Sequence, residues 1–107
     1  MNANDDANNE DAGDDSANEF ERLALQTKSE TFVLRLYVSG MTPRSTEAIQ
    51  SLTSICEQHL KDRFELEVID IYKHPELAGR DQIIAIPTLV KKLPLPLRNI
   101  VGTFSDA

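Results

Sequence analysis

Two segments of this chain alternate apolar and polar residues with a period of two, and a stretch of helical period lies between them. Few folds accommodate that order. In "TFVLRLYVSG" (31–40), Phe32, Leu34, Leu36 and Val38 share one face while Val33, Arg35 and Tyr37 share the other. The segment is rich in β-branched and aromatic residues and stops at Gly40, which marks a strand. Arg35, set among apolar neighbours, predicts that this second face is only partly covered or forms an interface. "MTPRSTEAIQSLTSICEQHL" (41–60) then places Ala48, Leu52, Ile55, Cys56 and Leu60 on one helical stripe, with Thr42 as a candidate cap and Pro43 where a helix tolerates proline. "RFELEVIDIY" (63–72) returns to alternation, with Phe64, Leu66 and Val68 set against Ile69 and Ile71. Strand, helix and strand in this order predict a βαβ unit with parallel strands. The fold class is therefore α/β.

Beyond that unit the pattern weakens. Pro75 can open a short helix through Leu77 and Ala78, and Asp70 is placed to cap the turn before it. From Ile83 two readings compete. "IIAIPTLVKKL" has the apolar density of a buried strand, yet Ile84, Leu89 and Leu93 also recur at helical spacing. Pro87, Pro94 and Pro96 each remove a backbone donor, and "LRNIVGTF" suits an edge strand or a loose helix. A sequence with two packings of similar energy has this appearance, and so does one that is merely poorly specified.

The charge is informative once it is located. Of the net −7, residues 1–30 contribute all, with nine acids against two bases, and nine acids balance nine bases from Thr31 onward. Residues 1–18, rich in Asn, Asp and Ala, are expected to form a disordered acidic tail. Residues 19–30 are expected to be a weakly structured linker, in which "EFERLALQ" forms a helical turn or two. The folded domain is expected over 31–107. The acidic tail and the lack of a basic patch argue against nucleic-acid binding. No run approaches the ~20 apolar residues of a membrane span, so a soluble, cytoplasmic protein without a membrane partner is expected.

The chemistry-bearing residues are few. One cysteine excludes an intrachain disulfide framework and a multi-cysteine zinc site. Cys56 falls on the apolar stripe deep in the helix, away from the helix N-terminus that would stabilise a thiolate, so it is expected to be a core residue. His59 and His74 have no cluster of ligands around them, so no metal site is expected. No catalytic constellation and no cofactor-binding motif emerges, and Gly40-Met41-Thr42-Pro43 has one glycine where a phosphate-cradling loop has several.

"VLRLYVSGMTPRSTEAI", "LEVIDIYKHPELAGRDQIIAIPTLVKKLPLPLRNIVG" and the closing "SD" closely resemble the KaiB family of circadian-clock proteins. The shared pattern is L-x-L-Y-V-x-G-x-T-P-x-S followed by V-I-D-x-x-x-x-P-x-L-A-x-x-D-x-I-x-A-x-P-T-L-x-K-x-L-P-x-P-x-R-x-I-x-G. It runs from about Phe32 to Asp106. The Ile-Pro-Thr-Leu segment is also similar to the strand that begins with a cis proline in thioredoxin-like proteins. There the proline faces a Cys-x-x-Cys pair, and this chain has none.

The resemblance implies a thioredoxin-like, KaiB-like single domain that starts with the βαβ unit and has a metamorphic second half. It implies an exchange between a homo-oligomeric ground state, dimeric or tetrameric, and a thioredoxin-like monomer. That monomer would bind a KaiC-like ATPase, displace a clock output histidine kinase and help sequester a KaiA-like protein. The function implied is non-enzymatic regulation of the ATPase phosphorylation cycle. The family continues past "SD" with an apolar helix that packs on the sheet in the thioredoxin-like form. Because the sequence ends at Ala107, one face of such a sheet is expected to lose that cover, or the ground-state sheet to lose a strand.

The family match draws attention to Lys91 and Arg98 as partner-binding residues, with Arg35 and Tyr37 as further candidates on the more open face of the first strand. Isolated cations can select an acidic partner surface. The ordinary alternatives are a solvated charge pair for Lys91 and Lys92 and an ion pair for Arg98. Pro87, Pro94 and Pro96 are expected to govern which fold is adopted. Two other functions stay open: a KaiB-like paralogue in stress response or signalling, and a thioredoxin-like monothiol oxidoreductase using Cys56.

Overall fold

The computed structural model describes residues 15–26 and 30–105. β1 (Phe32–Val38) lies at the centre of a four-stranded sheet. Its alternation delivers Phe32, Leu34, Leu36 and Val38 to one buried face. α2 (Pro43–His59) lays Ala48, Leu52, Ile55 and Cys56 on that face. The helix starts where it does because the Thr42 hydroxyl oxygen accepts from the Ser45 amide at 3.1 Å, and because Pro43 occupies the first turn without forfeiting a hydrogen bond. β2 (Phe64–Asp70) pairs with β1 in parallel, from Phe32 opposite Phe64 to Val38 opposite Asp70. The βαβ expectation is met in element order and strand direction.

After β2 the Asp70 carboxylate accepts from the Gly40 amide at 3.2 Å and the Tyr72 amide at 2.9 Å, which fixes both loops at this end of the sheet. Gly40 has φ of +66°, the left-handed conformation that a Cβ disfavours. α3 (Pro75–Arg80) is a single short helix opened by its proline. β3 (Thr88–Leu93) then runs antiparallel to β1 on the side away from β2, and β4 (Arg98–Val101) runs antiparallel to β3, giving the order β2-β1-β3-β4. The competition between strand and helix after Ile83 is thus resolved in favour of strand. Leu36 sits opposite Leu89, and Leu89 opposite Ile100, so Leu89 is buried by pairing on both sides. Ile84 is 96% exposed and shares no apolar face with Leu89. The peptide bonds before Pro87, Pro94 and Pro96 are all cis.

The second sheet face carries a smaller core of Tyr37, Ile69 and Val90, covered by Ile71, Leu77, Ala78, Ile83 and Ile86. α3 is too short to cover the whole face. At its open end Val33, Arg35, Glu65, Glu67, Lys92 and Leu93 border a cavity of about 450 Å³. The partly covered face expected from Arg35 is present.

Two expectations differ from the structure. The boundary between tail and linker at residue 18 is crossed by α1 (Ser16–Gln26), a helix of 11 residues in place of one or two loose turns. The rest of the expected tail, 1–14, lies outside the described residues. The second difference follows from the first: the face beside α2 is covered by α1. Phe20, 0% exposed, packs edge-on against Phe32 (ring centroids 6.3 Å apart) and Phe104 (6.4 Å), and Ala17 and Ala24 are buried beside it. An isolated helix of this length is marginal in water, and here tertiary packing of one face stabilises it.

Candidate functional site

Where a dithiol loop would face the cis proline, the chain builds a groove without thiols. Ser39, Thr42, Pro43, Arg44 and Ser45 from the start of α2 face Ile86 and Pro87 across a cavity of about 330 Å³. The Thr42 and Ser45 hydroxyls are already engaged: the Ser45 oxygen accepts from the Ser39 amide at 3.1 Å and from the Thr42 hydroxyl at 2.8 Å. Met41, 90% exposed, projects from the same loop, and Tyr72, also exposed, packs near Gly40. Such a groove can bind an apolar segment, and its lining contains no Cys, His, Asp or Glu.

Cys56 does not supply the missing chemistry. It is fully buried, and burial, assisted by Glu57, pushes its thiol up to about 12. The thiolate that a monothiol oxidoreductase needs is therefore scarce at neutral pH. Among the described residues no group of His, Cys, Asp and Glu is arranged to hold a metal ion.

The four partner-binding candidates are all engaged inside the chain. The Tyr37 side chain is 0% exposed, and its hydroxyl donates to the Asp81 carboxylate at 2.6 Å and lies 3.0 Å from the Leu77 carbonyl. Burial, reinforced by Asp81, pushes its hydroxyl above the ordinary tyrosine range. Arg35 lies 3.2 Å from Glu67 and 3.5 Å from Asp81. Lys92 completes the cluster with an ammonium 2.7 Å from Asp81. Burial alone would raise the Asp81 carboxyl, but hydrogen bonds from Lys92 and Tyr37 and the charges of Lys92 and Arg35 outweigh it and hold it below its ordinary value. One carboxylate thus joins β1, β3 and the end of α3.

Lys91 is 3% exposed. Its ammonium donates to the Pro94 carbonyl and, at 2.7 Å, to the Pro96 carbonyl, closing the proline loop between β3 and β4. Burial, with help from Arg98, pushes its pKa down. Arg98 forms an ion pair with Glu19 of α1, its side chain 41% exposed. Tyr37 and Lys91, expected at a partner surface, are buried in this conformation. Tyr37 is covered by α3, and Lys91 turns back on its own loop. The alternative of Lys91 and Lys92 as a solvated charge pair does not hold here either, because alternation sends them to opposite faces and Lys91 is buried. Asp81 and Glu19 were not singled out from the sequence. Their signal was only an acid placed after a helix and an acid on the polar edge of a short apolar stripe.

The strand order β2-β1-β3-β4 and the helices packed on the sheet define a thioredoxin-like α/β domain. Comparison of solved structures agrees. The N-terminal domain of Synechococcus elongatus SasA matches with a TM-score of 0.61 at 24% identity, covering 73% of this chain and 74% of that one. Mitochondrial thioredoxin 3 of Saccharomyces cerevisiae matches with a TM-score of 0.58 at 18% identity, covering 80% and 77%. At these identities the likeness speaks for the fold alone. The family follows from sequence: the KaiB domain model matches residues 35–107. The chain is 48% identical over 82 residues to the circadian clock oscillator protein KaiB of Gloeothece citriformis, covering 77% of each. It is 49% identical over 76 residues to the protein of that name from Synechococcus elongatus, covering 71% and 74%. The chain belongs to the KaiB family.

Proposed function

We propose that this chain is a non-enzymatic clock regulator that binds a KaiC-like ring ATPase and modulates its phosphorylation cycle. The observation that carries the reading is the antiparallel placement of β3 beside β1 with β4 outside it, the thioredoxin-like arrangement that the family resemblance associates with binding. In this reading a clock output histidine kinase is displaced, a KaiA-like protein is a further partner, and the ground state is a homo-oligomer. If the binding arrangement holds only a fraction of the population, apparent affinity falls by that fraction.

Arg35, Tyr37 and Lys91 serve this function by holding the second half in place, through Asp81 and through the proline loop. Arg98, the most exposed of the four candidates, is the one available to exchange its internal carboxylate for an acidic group of a partner. Pro87, Pro94 and Pro96 lie in the part that would rearrange. The test is size-exclusion chromatography with a KaiC-type ATPase and ATP, joined to a time course of ATPase phosphorylation. Co-elution with the ring and an altered time course are expected. A chain that never enters the ring fraction, with the phosphorylation course unchanged, would contradict the reading.

A further inference from the structure

The surface beside α2 is a helix-docking groove, and in this chain its occupant is α1. The contacts tie three parts of the molecule together. Phe20 packs edge-on against Phe32 of the βαβ unit and against Phe104, which follows β4. Glu19 pairs with Arg98 of β4. Glu21 approaches His59, at the end of α2, at 3.5 Å. The Phe104 amide donates to the Ser16 hydroxyl oxygen at 3.0 Å.

One feature separates this from ordinary core packing. Phe104 has φ of +60°, a conformation that a bulky side chain rarely adopts without restraint, and its restraints named above come from α1. Beside it, Ala17, Glu21, Ser54 and Phe104 border a cleft of about 320 Å³. α1 thus bridges α2, through Glu21 and His59, to β4 and the segment after it, through Arg98 and Phe104.

We propose that α1 is a strap that docks on this groove and holds β4 in the thioredoxin-like order, so that its release loosens the second half while leaving the βαβ unit intact. The strap stands on these contacts alone.

Hydrogen–deuterium exchange on the full chain, without any partner, tests it. Two amides report: Gly102, which donates to the Pro87 carbonyl, and Ile71, which donates to the Val38 carbonyl. In Phe20→Ala, Gly102 is expected to exchange about tenfold faster while Ile71 stays within about twofold. Equal acceleration of both amides would overturn the proposal, because α1 would then be one part of a single cooperative core. No acceleration of either would overturn it too. Glu19→Arg leaves the apolar core untouched and keeps the test available if Phe20→Ala does not fold. It is expected to speed Gly102 by about threefold, and Glu19→Arg with Arg98→Glu is expected to restore the original rate. Failure of the paired exchange to restore protection would count against the strap.

Discussion

The Tyr37 hydroxyl donates to the Asp81 carboxylate at 2.6 Å, joining the central strand to the residue that ends α3. Because Lys92 and Arg35 bind the same carboxylate, this contact decides how firmly the second half sits on the first. Charge-assisted hydrogen bonds of this kind are stronger than neutral ones, and a partner left behind without its acceptor is costly. Asp81→Asn should lower the stability of this arrangement by about 1–3 kcal/mol, measured by urea unfolding.

The same carboxylate sets an acid dependence. Its folded pKa is held below the ordinary 3.8, so its contribution is present above that value and is lost as pH falls through the lower, folded one. Unfolding free energy should therefore fall on acidification below about pH 4, and the Asp81→Asn variant should show a shallower fall over the same window. Parallel curves for the two proteins would remove Asp81 from the account.

Lys91→Met keeps the length of the side chain and removes the ammonium that closes the proline loop. Two carbonyls, of Pro94 and Pro96, then lose a donor in a largely buried setting. A loss of about 1–3 kcal/mol is expected. Chemical-shift changes should concentrate in 93–98 and spare the parallel pair β1–β2.

Thr42→Ala removes the oxygen that accepts the Ser45 amide and should cost about 0.5–2 kcal/mol, read as a lower urea midpoint with unchanged slope. The groove beside Pro87 depends on this turn, so the effect should also appear at the Ser39 and Ser45 amides.

Cys56 offers a test of the non-enzymatic reading. With its thiol pushed up to about 12, the thiolate fraction at pH 8 is on the order of one molecule in ten thousand. Alkylation by iodoacetamide should be slow in the folded chain and rapid in urea. Fast alkylation of the folded chain would restore the thiol as a candidate nucleophile.

How much of this was legible in the sequence depends on where each signal is stored. β1, α2 and β2 were readable because their periodicity faces one large core, and Thr42 and Pro43 mark a helix start by local chemistry. β3 was ambiguous because strand and helical spacings both fit 83–93, and only pairing with β1 and β4 selects between them. α1 was underestimated because its stability is not local. Ser16, Ala17, Phe20 and Ala24 do recur at helical spacing, but what holds them is contact with Phe32 and with Phe104, the latter 84 positions after Phe20. The burial of Tyr37 and Lys91 was not legible for a similar reason: it depends on α3 and on the proline loop, which no strand pattern displays.

The central claim is that the arrangement with β3 antiparallel to β1 is the one that engages the ATPase ring. The most direct measurement is an NMR experiment on the isotope-labelled chain bound to a KaiC-type ATPase, looking for methyl cross-peaks between Leu36 and Leu89, which face each other across β1 and β3. The account predicts that this contact is present in the bound chain. A chain that binds the ring while the Leu36–Leu89 contact is absent would contradict it.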